Sequence, residues 1–233
     1  MEHKILIPEQ TFSRPSDYIN KNPAYIFHHL MKCGGTSLSH LLSKWFGMIY
    51  DHITGPEDLE VYKNSPYDLA NLSSDQCLTG HFAYEGTYLH QRYPEVISRS
   101  TNYRSIIFVR DPLSFFLSLY YYSKKNGRMD KSLKDFYKDN QNLIAYFIPC
   151  EENNYREVLD SYFFIGVVER MNYSVLKLSQ LINKRYFPPP FLNKSEKDQQ
   201  YSLITPSFKK EFIKKNELDY KIYNYCLDKL TGM

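Results

Sequence analysis

The sequence lacks the patterns that build metal, disulfide and membrane-spanning structures. Its four cysteines (Cys33, Cys77, Cys150 and Cys226) are far apart, with no CxxC pair and no Cys/His cluster at zinc spacing. No segment approaches the ~20 consecutive apolar residues that cross a bilayer, and the N-terminus has no apolar run typical of a secretion signal. We therefore expect reduced thiols, no bound metal and a soluble, cytoplasmic protein.

A strong charge imbalance is also lacking. The 29 Lys and Arg against 26 Asp and Glu leave a formal charge of +3. So small an excess argues against a nucleic-acid binder that works through a basic tail, but it permits one local anion site. With 24% charged and 42% hydrophobic residues in 233, wholesale disorder is excluded. We expect one domain over 1–233 with an irregular N-terminal arm over 1–22.

The order of apolar runs along the chain predicts an α/β protein. Residues 50–75 are predicted to be loop-rich with short helical pieces, and the prolines within 187–200 predict a loop. Strands that alternate with helices predict a three-layer, P-loop-like fold, in which helices flank a central, mainly parallel β-sheet. The predicted strands are 24–31, 76–82, 104–109 and 162–168, and the clearest helices are 36–46, 112–120, 172–182 and those from 205 onward.

A glycine turn joins the first predicted strand to the first helix, in the segment Lys32-Cys33-Gly34-Gly35-Thr36-Ser37. Glycines let successive backbone N–H groups point at one spot, and a helix N-terminus adds partial positive charge there. Lys32 supplies a full charge, while Thr36 and Ser37 supply hydroxyls. The segment predicts an anion site; the alternative is an ordinary turn whose hydroxyls cap the helix. It is not a Walker A loop, because its lysine precedes the glycines.

A second candidate anion site follows the strand over 104–109. Arg110-Asp111-Pro112 comes directly after that strand, and Ser118 lies eight residues beyond Arg110 on the following helix. An arginine at the carboxyl end of a strand faces the crevice where α/β folds bind ligands, and its planar guanidinium suits phosphate oxygens. The alternative is a structural turn in which Asp111 caps the helix and Arg110 pairs with it.

Together the two motifs resemble those of sulfotransferases that use 3′-phosphoadenosine 5′-phosphosulfate (PAPS). The closest resemblance is to the carbohydrate sulfotransferases related to heparan sulfate 2-O-sulfotransferase. Segment 32–37 resembles their 5′-phosphosulfate loop, and Arg110 with Ser118 resembles their 3′-phosphate motif. Supporting matches over about residues 24–226 are Gly80-His81-Phe82, the strand ending in Glu169-Arg170, Asn193-Lys194-Ser195 and Asp219-x-x-x-Tyr223. Departures from the family pattern are Met31 for proline, Cys33 for threonine and Phe115 for arginine.

The resemblance implies a role for each matching residue. Lys32 and the backbone N–H groups of 33–37 would hold the 5′ end of PAPS and stabilise the leaving phosphate. Arg110 and Ser118 would bind the 3′-phosphate, and Lys194 would close over the donor. The product would be adenosine 3′,5′-bisphosphate (PAP), with no metal needed.

His81 is the predicted general base, because histidine is available as a base near neutral pH. The alternative is a structural histidine. Glu169 is a lesser candidate base, and His29 is predicted either to contact the sulfuryl group or to pack in the core. Tyr84 and Tyr88, just beyond His81, are predicted to contact the acceptor, a hydroxyl of a carbohydrate, glycolipid or small metabolite.

Two other functions are consistent with these motifs. One is a P-loop nucleotide kinase or hydrolase, although the Walker order is missing and the sequence shows no convincing acidic partner for Mg²⁺. The other is a non-catalytic nucleotide-binding protein on the same fold. Binding of PAP without any response to ATP–Mg²⁺ would separate the sulfotransferase from the first alternative, and turnover would separate it from the second.

Overall fold

The computed structural model of the protein describes residues 22–53, 55–97, 102–190 and 204–232. Within these ranges, five parallel strands form one sheet in the order β2-β3-β1-β4-β5. The predicted α/β fold with a mainly parallel sheet is confirmed. The strands are β1 (Ala24–His28), β2 (Gly47–Tyr50), β3 (Gln76–Gly80), β4 (Tyr103–Val109) and β5 (Phe164–Val167).

Helices connect the strands and cover the sheet. None of the helices in the described ranges is long and apolar enough to cross a membrane. Short 3-10 turns lie at 56–58, 69–71, 94–96 and 168–170. The α-helices are α1 (Gly35–Leu42), α2 (Leu59–Asn64), α3 (Leu89–Arg92), α4 (Pro112–Lys125), α5 (Leu133–Asp139), α6 (Leu143–Phe147), α7 (Tyr155–Asp160), α8 (Met171–Leu181), α9 (Pro206–Lys215) and α10 (Glu217–Thr231).

The core lies on both faces of the sheet. Successive side chains of a strand point to opposite faces, and every residue of β1 is buried. Ile26 and Phe27, which are neighbours in β1, are both at most 1% exposed. Burial on both faces explains why the central strands are continuous apolar runs in the sequence. Each such side chain contributes about 1.5–3 kcal/mol through the hydrophobic effect.

Helix α4 begins where the sequence predicts. Pro112 occupies the first turn, where a missing N–H costs nothing, and the Asp111 carboxylate accepts a hydrogen bond from the Ser114 N–H at 2.8 Å. Asp111 therefore caps the helix, as in the structural alternative. Arg110 does not pair with Asp111; its guanidinium donates to another element, described below.

The strand boundaries differ from the prediction near the crevice. Strand β1 ends at His28 and β3 at Gly80, three and two residues before their predicted ends. The segments that follow β1 and β3 both turn, since Lys32 and Phe82 have positive φ angles of 61° and 48°. Strand β2 was not predicted, because it lies at the edge of the sheet and its end residues are exposed. The single domain over 1–233 stays a prediction, and of the predicted arm over 1–22, residues 1–21 lie outside the described residues.

Candidate active site

The two predicted anion motifs meet at the centre of the sheet edge. Strands β1 and β4 are neighbours, and the chain leaves β1 toward β2 on one side but leaves β4 toward β5 on the other. Ligands of open α/β sheets bind in the crevice at such a switch point, outside the carboxyl ends of the strands. The segment 32–37 follows β1 closely and Arg110 follows β4 directly. Both motifs therefore face the same crevice.

The backbone at the start of α1 depends on two glycines. Gly34 has a φ of 77°, in the left-handed region that favours glycine. A Cβ on Gly35 would lie 1.6 Å from Nε2 of His29, so only glycine lets this imidazole lie against the helix N-terminus. Cys33 is 1% exposed, and burial raises the pKa of its thiol far above its ordinary value. From Cys33, therefore, only the backbone is available to a ligand in the crevice.

Direct contacts join the two motifs. Nη1 of Arg110 donates a hydrogen bond to the backbone carbonyl of Lys32 at 3.0 Å. The Lys32 Nζ lies 3.9 Å from the centroid of the Tyr122 ring. Tyr122 is one turn beyond Ser118 on the same face of α4, because residues four apart are neighbours on a helix. The fold thus brings the two motifs, one with Lys32 and the other with Arg110 and Ser118, to one side of the crevice.

The two cations of this site, Lys32 and Arg110, form no ion pair with an acidic side chain in the part of the chain that the structure describes, although Glu169 lies close enough to Arg110 to interact with its charge. Desolvation lowers the pKa of Lys32, and the neighbouring charge of Arg110 lowers it further. Two close cations at the N-terminus of α1 form an environment that a bound anion stabilises. The predicted hydroxyls stand beside them: Thr36 is exposed and Ser37 is half-buried in the first turn.

His81 lies at the carboxyl end of β3, the strand next to β1. Its Nδ1 lies 2.8 Å from the backbone carbonyl of His29. A carbonyl oxygen can only accept, so Nδ1 carries the proton and Nε2 keeps the lone pair of the neutral ring. Burial lowers the pKa of His81 below its ordinary value. The imidazole is therefore neutral near pH 7 and presents Nε2 as a base.

Two further histidines surround His81, and their rings lie 4.4 Å (His29) and 5.3 Å (His52) from it, centroid to centroid. Desolvation, with smaller contributions from neighbouring positive charge, lowers the pKa of His29 to about 3. His29 is thus neutral at working pH and too weak a base to take up a proton. The adjacent His28 points the other way, as strand alternation predicts, and bonds to the hydroxyl of Tyr162 at 2.7 Å.

His52 is the part of this cluster that sequence reasoning missed. It follows β2, which was not predicted, and so the sequence did not place it at the same sheet edge as His81. The preceding residue fixes its position. Asp51 is buried, and its carboxylate accepts hydrogen bonds from Nε and Nη2 of Arg92 at 2.7 and 2.8 Å and from the Tyr93 hydroxyl at 2.7 Å. A histidine closely following a short Met-Ile-Tyr segment was the available signal.

The two predicted acceptor-contacting tyrosines occupy different environments. Tyr84 is 43% exposed, whereas Tyr88 is 7% exposed. The Tyr88 ring stacks on His90 at 6.0 Å and meets the Tyr146 ring edge-on at 6.3 Å. This burial favours packing for Tyr88 and leaves Tyr84 as the accessible ring. The predicted donor contact Lys194 lies outside the described residues.

The supporting matches near the end of the sequence form hydrogen bonds between elements of the fold. Asp219 on α10 accepts hydrogen bonds from the backbone N–H groups of Ile144 and Ala145 at 3.0 and 2.9 Å, at the start of α6. Tyr223, one turn later, donates to the carboxylate of Glu169 at 3.4 Å. Glu169 is therefore tied to the last helix beside the crevice. Glu169 forms no ion pair with the adjacent Arg170.

Comparison with known proteins gives a likeness to solved structures at low identity. No family model matches the chain, and no curated protein matches it. Among solved structures, the chain is similar to a sulfotransferase from Alicyclobacillus acidocaldarius at 15% identity and a TM-score of 0.47. The match covers 85% of this chain and 96% of that one. The function proposed below rests on the residues of the site.

Proposed function

We propose that the protein is a sulfotransferase that moves a sulfuryl group from PAPS to a hydroxyl group. One observation supports this most strongly: Arg110, from the end of β4, reaches the Lys32 carbonyl after β1, so that two anion-binding motifs face one crevice. A donor that carries phosphate at both its 3′ and 5′ positions needs two such motifs. The neutral base His81 stands on the next strand.

The residues present suit this donor. Gly34 and Gly35 place no side chain at the start of α1, which leaves the backbone N–H groups there for the 5′ end. Arg110 and Ser118 would hold the 3′-phosphate, with the guanidinium matching phosphate geometry. The Lys32 side chain reaches from the loop to Tyr122 on α4, and so spans the two motifs. The donor supplies the activated sulfuryl group; binding, orientation and proton removal are left to the protein.

His81 would remove the acceptor proton. As the acceptor oxygen bonds to sulfur, the bond from sulfur to the 5′-phosphate oxygen breaks, its electron pair stays on the phosphate, and the proton passes to Nε2. The hydrogen bond from Nδ1 to the His29 carbonyl favours the protonated ring that results. Lys32 and the N–H groups of α1 would stabilise the charge on the phosphate.

The Gly80-His81 turn supports a sugar hydroxyl as acceptor. It is the feature shared with the carbohydrate branch related to heparan sulfate 2-O-sulfotransferase. A carbohydrate or glycolipid is therefore the proposed acceptor class, with a small metabolite as the other hydroxyl source. We propose that the enzyme works as a soluble protein in the cytoplasm without a metal.

Substitution of His81 tests the mechanism. His81→Asn keeps a donor in the Nδ1 position for the His29 carbonyl but has no base at Nε2, whereas His81→Ala removes both. We expect both variants to lose about 10²–10⁴-fold in kcat, while the affinity for PAP, measured by calorimetry, stays within about twofold. Unchanged turnover in both variants would remove His81 from the mechanism. PAP binding without turnover in the unsubstituted protein would favour the non-catalytic alternative.

A further inference from the structure

An open groove lies beside the histidine cluster, on the side away from Arg110. Its volume of about 420 Å³ falls in the range of small-molecule sites. Helix α1 forms one wall and the residues after β2 form the other. Its lining includes Thr36, Ser39 and His40 from α1, Ser43 directly after that helix, and Tyr50 and His52 from the opposite wall.

We propose that this groove is the acceptor site and that it takes a neutral sugar, with Tyr50 as the platform for the sugar ring. The inference rests on the proposed function and names its substrate. A donor with its 3′-phosphate at Arg110, beside β4, and its 5′ end at β1 directs its sulfuryl group toward β3, where His81 lies. The next strand in the sheet is β2. The groove therefore continues the line from the donor past the base.

Tyr50 has the position and exposure of a sugar platform. It is 59% exposed, although it is a large ring at the end of a strand. Its ring stacks on His52 with centroids 5.6 Å apart and an interplanar angle of 27°, and the His52 ring lies 5.3 Å from His81. A flat apolar ring with a hydroxyl at its edge can pack on the C–H face of a sugar. The Tyr50 and His52 rings therefore connect the proposed platform to the base His81.

The opposite wall offers hydrogen-bonding groups without fixed charge. Ser39 lies on α1, and Ser43 directly follows the last residue of that helix. The Ser43 hydroxyl donates to the His40 carbonyl at 2.8 Å, which leaves its oxygen to accept from a ligand. Among the described residues that line the groove, none is Asp, Glu, Lys or Arg. A uronic acid or sulfated sugar would lose its hydration there without gaining an ion pair. Neutral sugar hydroxyls, which both donate and accept, match these walls.

The test compares acceptors and platform variants with labelled PAPS. Neutral methyl glycosides are assayed against the methyl glucuronide, and we expect kcat/KM to favour the neutral sugars by about tenfold or more. Tyr50→Ala should raise KM for the neutral glycoside about tenfold, with kcat and PAP affinity nearly unchanged, and Tyr50→Phe should keep the KM of the unsubstituted protein. Tyr173→Ala, which removes an exposed tyrosine of α8 outside the groove, is the matched control.

Three results would overturn the inference. Equal use of the glucuronide would contradict the neutral acceptor. An unchanged KM in Tyr50→Ala, with a raised KM in Tyr84→Ala, would move the acceptor to the exposed ring of Tyr84. PAP binding without sulfation of any neutral glycoside would overturn this inference alone, whereas failure to bind PAP would overturn the proposed function and this inference with it.

Discussion

Acidification is expected to destabilise the protein through His28. This side chain is 1% exposed, lies against the rings of Phe82 and Tyr162, and bonds to the Tyr162 hydroxyl. Burial is the largest cause that lowers its pKa to about 3, whereas a histidine in the unfolded chain titrates near ~6.5. Below that pH the unfolded state binds a proton that the native state does not bind. Stability is therefore lost as the pH falls from the unfolded pKa toward the folded one.

The size of the loss follows from the two pKa values. Between about pH 7.5 and about pH 5.5, His28 lowers the free energy of unfolding by about 1 kcal/mol, and by about pH 4.5 it lowers it by about 3 kcal/mol. His29, whose pKa is also lowered to about 3, adds a similar loss. A domain is typically stable by about 5–15 kcal/mol. Two buried histidines are thus a sizeable part of the acid sensitivity.

Urea unfolding of the protein and of His28→Phe, each at about pH 7.5 and about pH 5.5, isolates the contribution of His28 to the loss of stability. Phenylalanine fills a similar volume without a titrating group, so the variant should lose about 1 kcal/mol less between about pH 7.5 and about pH 5.5. Buried Asp219, whose pKa is raised to about 6, gains stability as the pH falls, but it does so equally in both proteins and cancels. An equal loss in both proteins would refute the reasoning.

Two substitutions at the anion motifs give further expected outcomes. Gly35→Ala would place a Cβ 1.6 Å from Nε2 of His29; we expect a loss of about 1–3 kcal/mol by denaturation and weaker PAP binding, while Gly47→Ala, whose Cβ would find its nearest atom at 3.6 Å, should be tolerated. Equal behaviour of the two would contradict the packing argument. Arg110→Lys keeps the charge but loses the planar guanidinium, so calorimetry should show PAP affinity lower by about tenfold. Affinity equal to that of the unsubstituted protein would exclude a bidentate phosphate contact.

The central strands could be predicted because both their faces are buried. Burial on two sides makes β1 and β4 nearly continuous apolar runs, and a following glycine turn or Arg-Asp-Pro marks each end. The short edge strand β2 has exposed end residues, and so it leaves no such run. Without β2, neither His52 nor the groove beside Tyr50 could be inferred from the sequence.

The parts of the site that could not be predicted are contacts between distant segments. Local motifs predicted the site residues Lys32, Arg110, Ser118 and His81. No local pattern shows that Lys32 lies over Tyr122. The hydrogen bond that fixes the His81 ring to the His29 carbonyl likewise depends on the pairing of β1 with β3. Tyrosine patterns were the weakest guide, because Tyr88 is buried while Tyr50 is exposed.

Thermal unfolding with and without nucleotide tests the central claim most directly. A ligand that binds only the native state at about 100 times its Kd stabilises it by about 2.7 kcal/mol, and each kcal/mol raises Tm by about 2–4 °C in a domain of this size. We expect PAP to raise Tm by about 5–11 °C and ATP–Mg²⁺ to leave it unchanged. Arg110→Ala should lose the response to PAP. Stabilisation by ATP–Mg²⁺ but not by PAP would contradict the account.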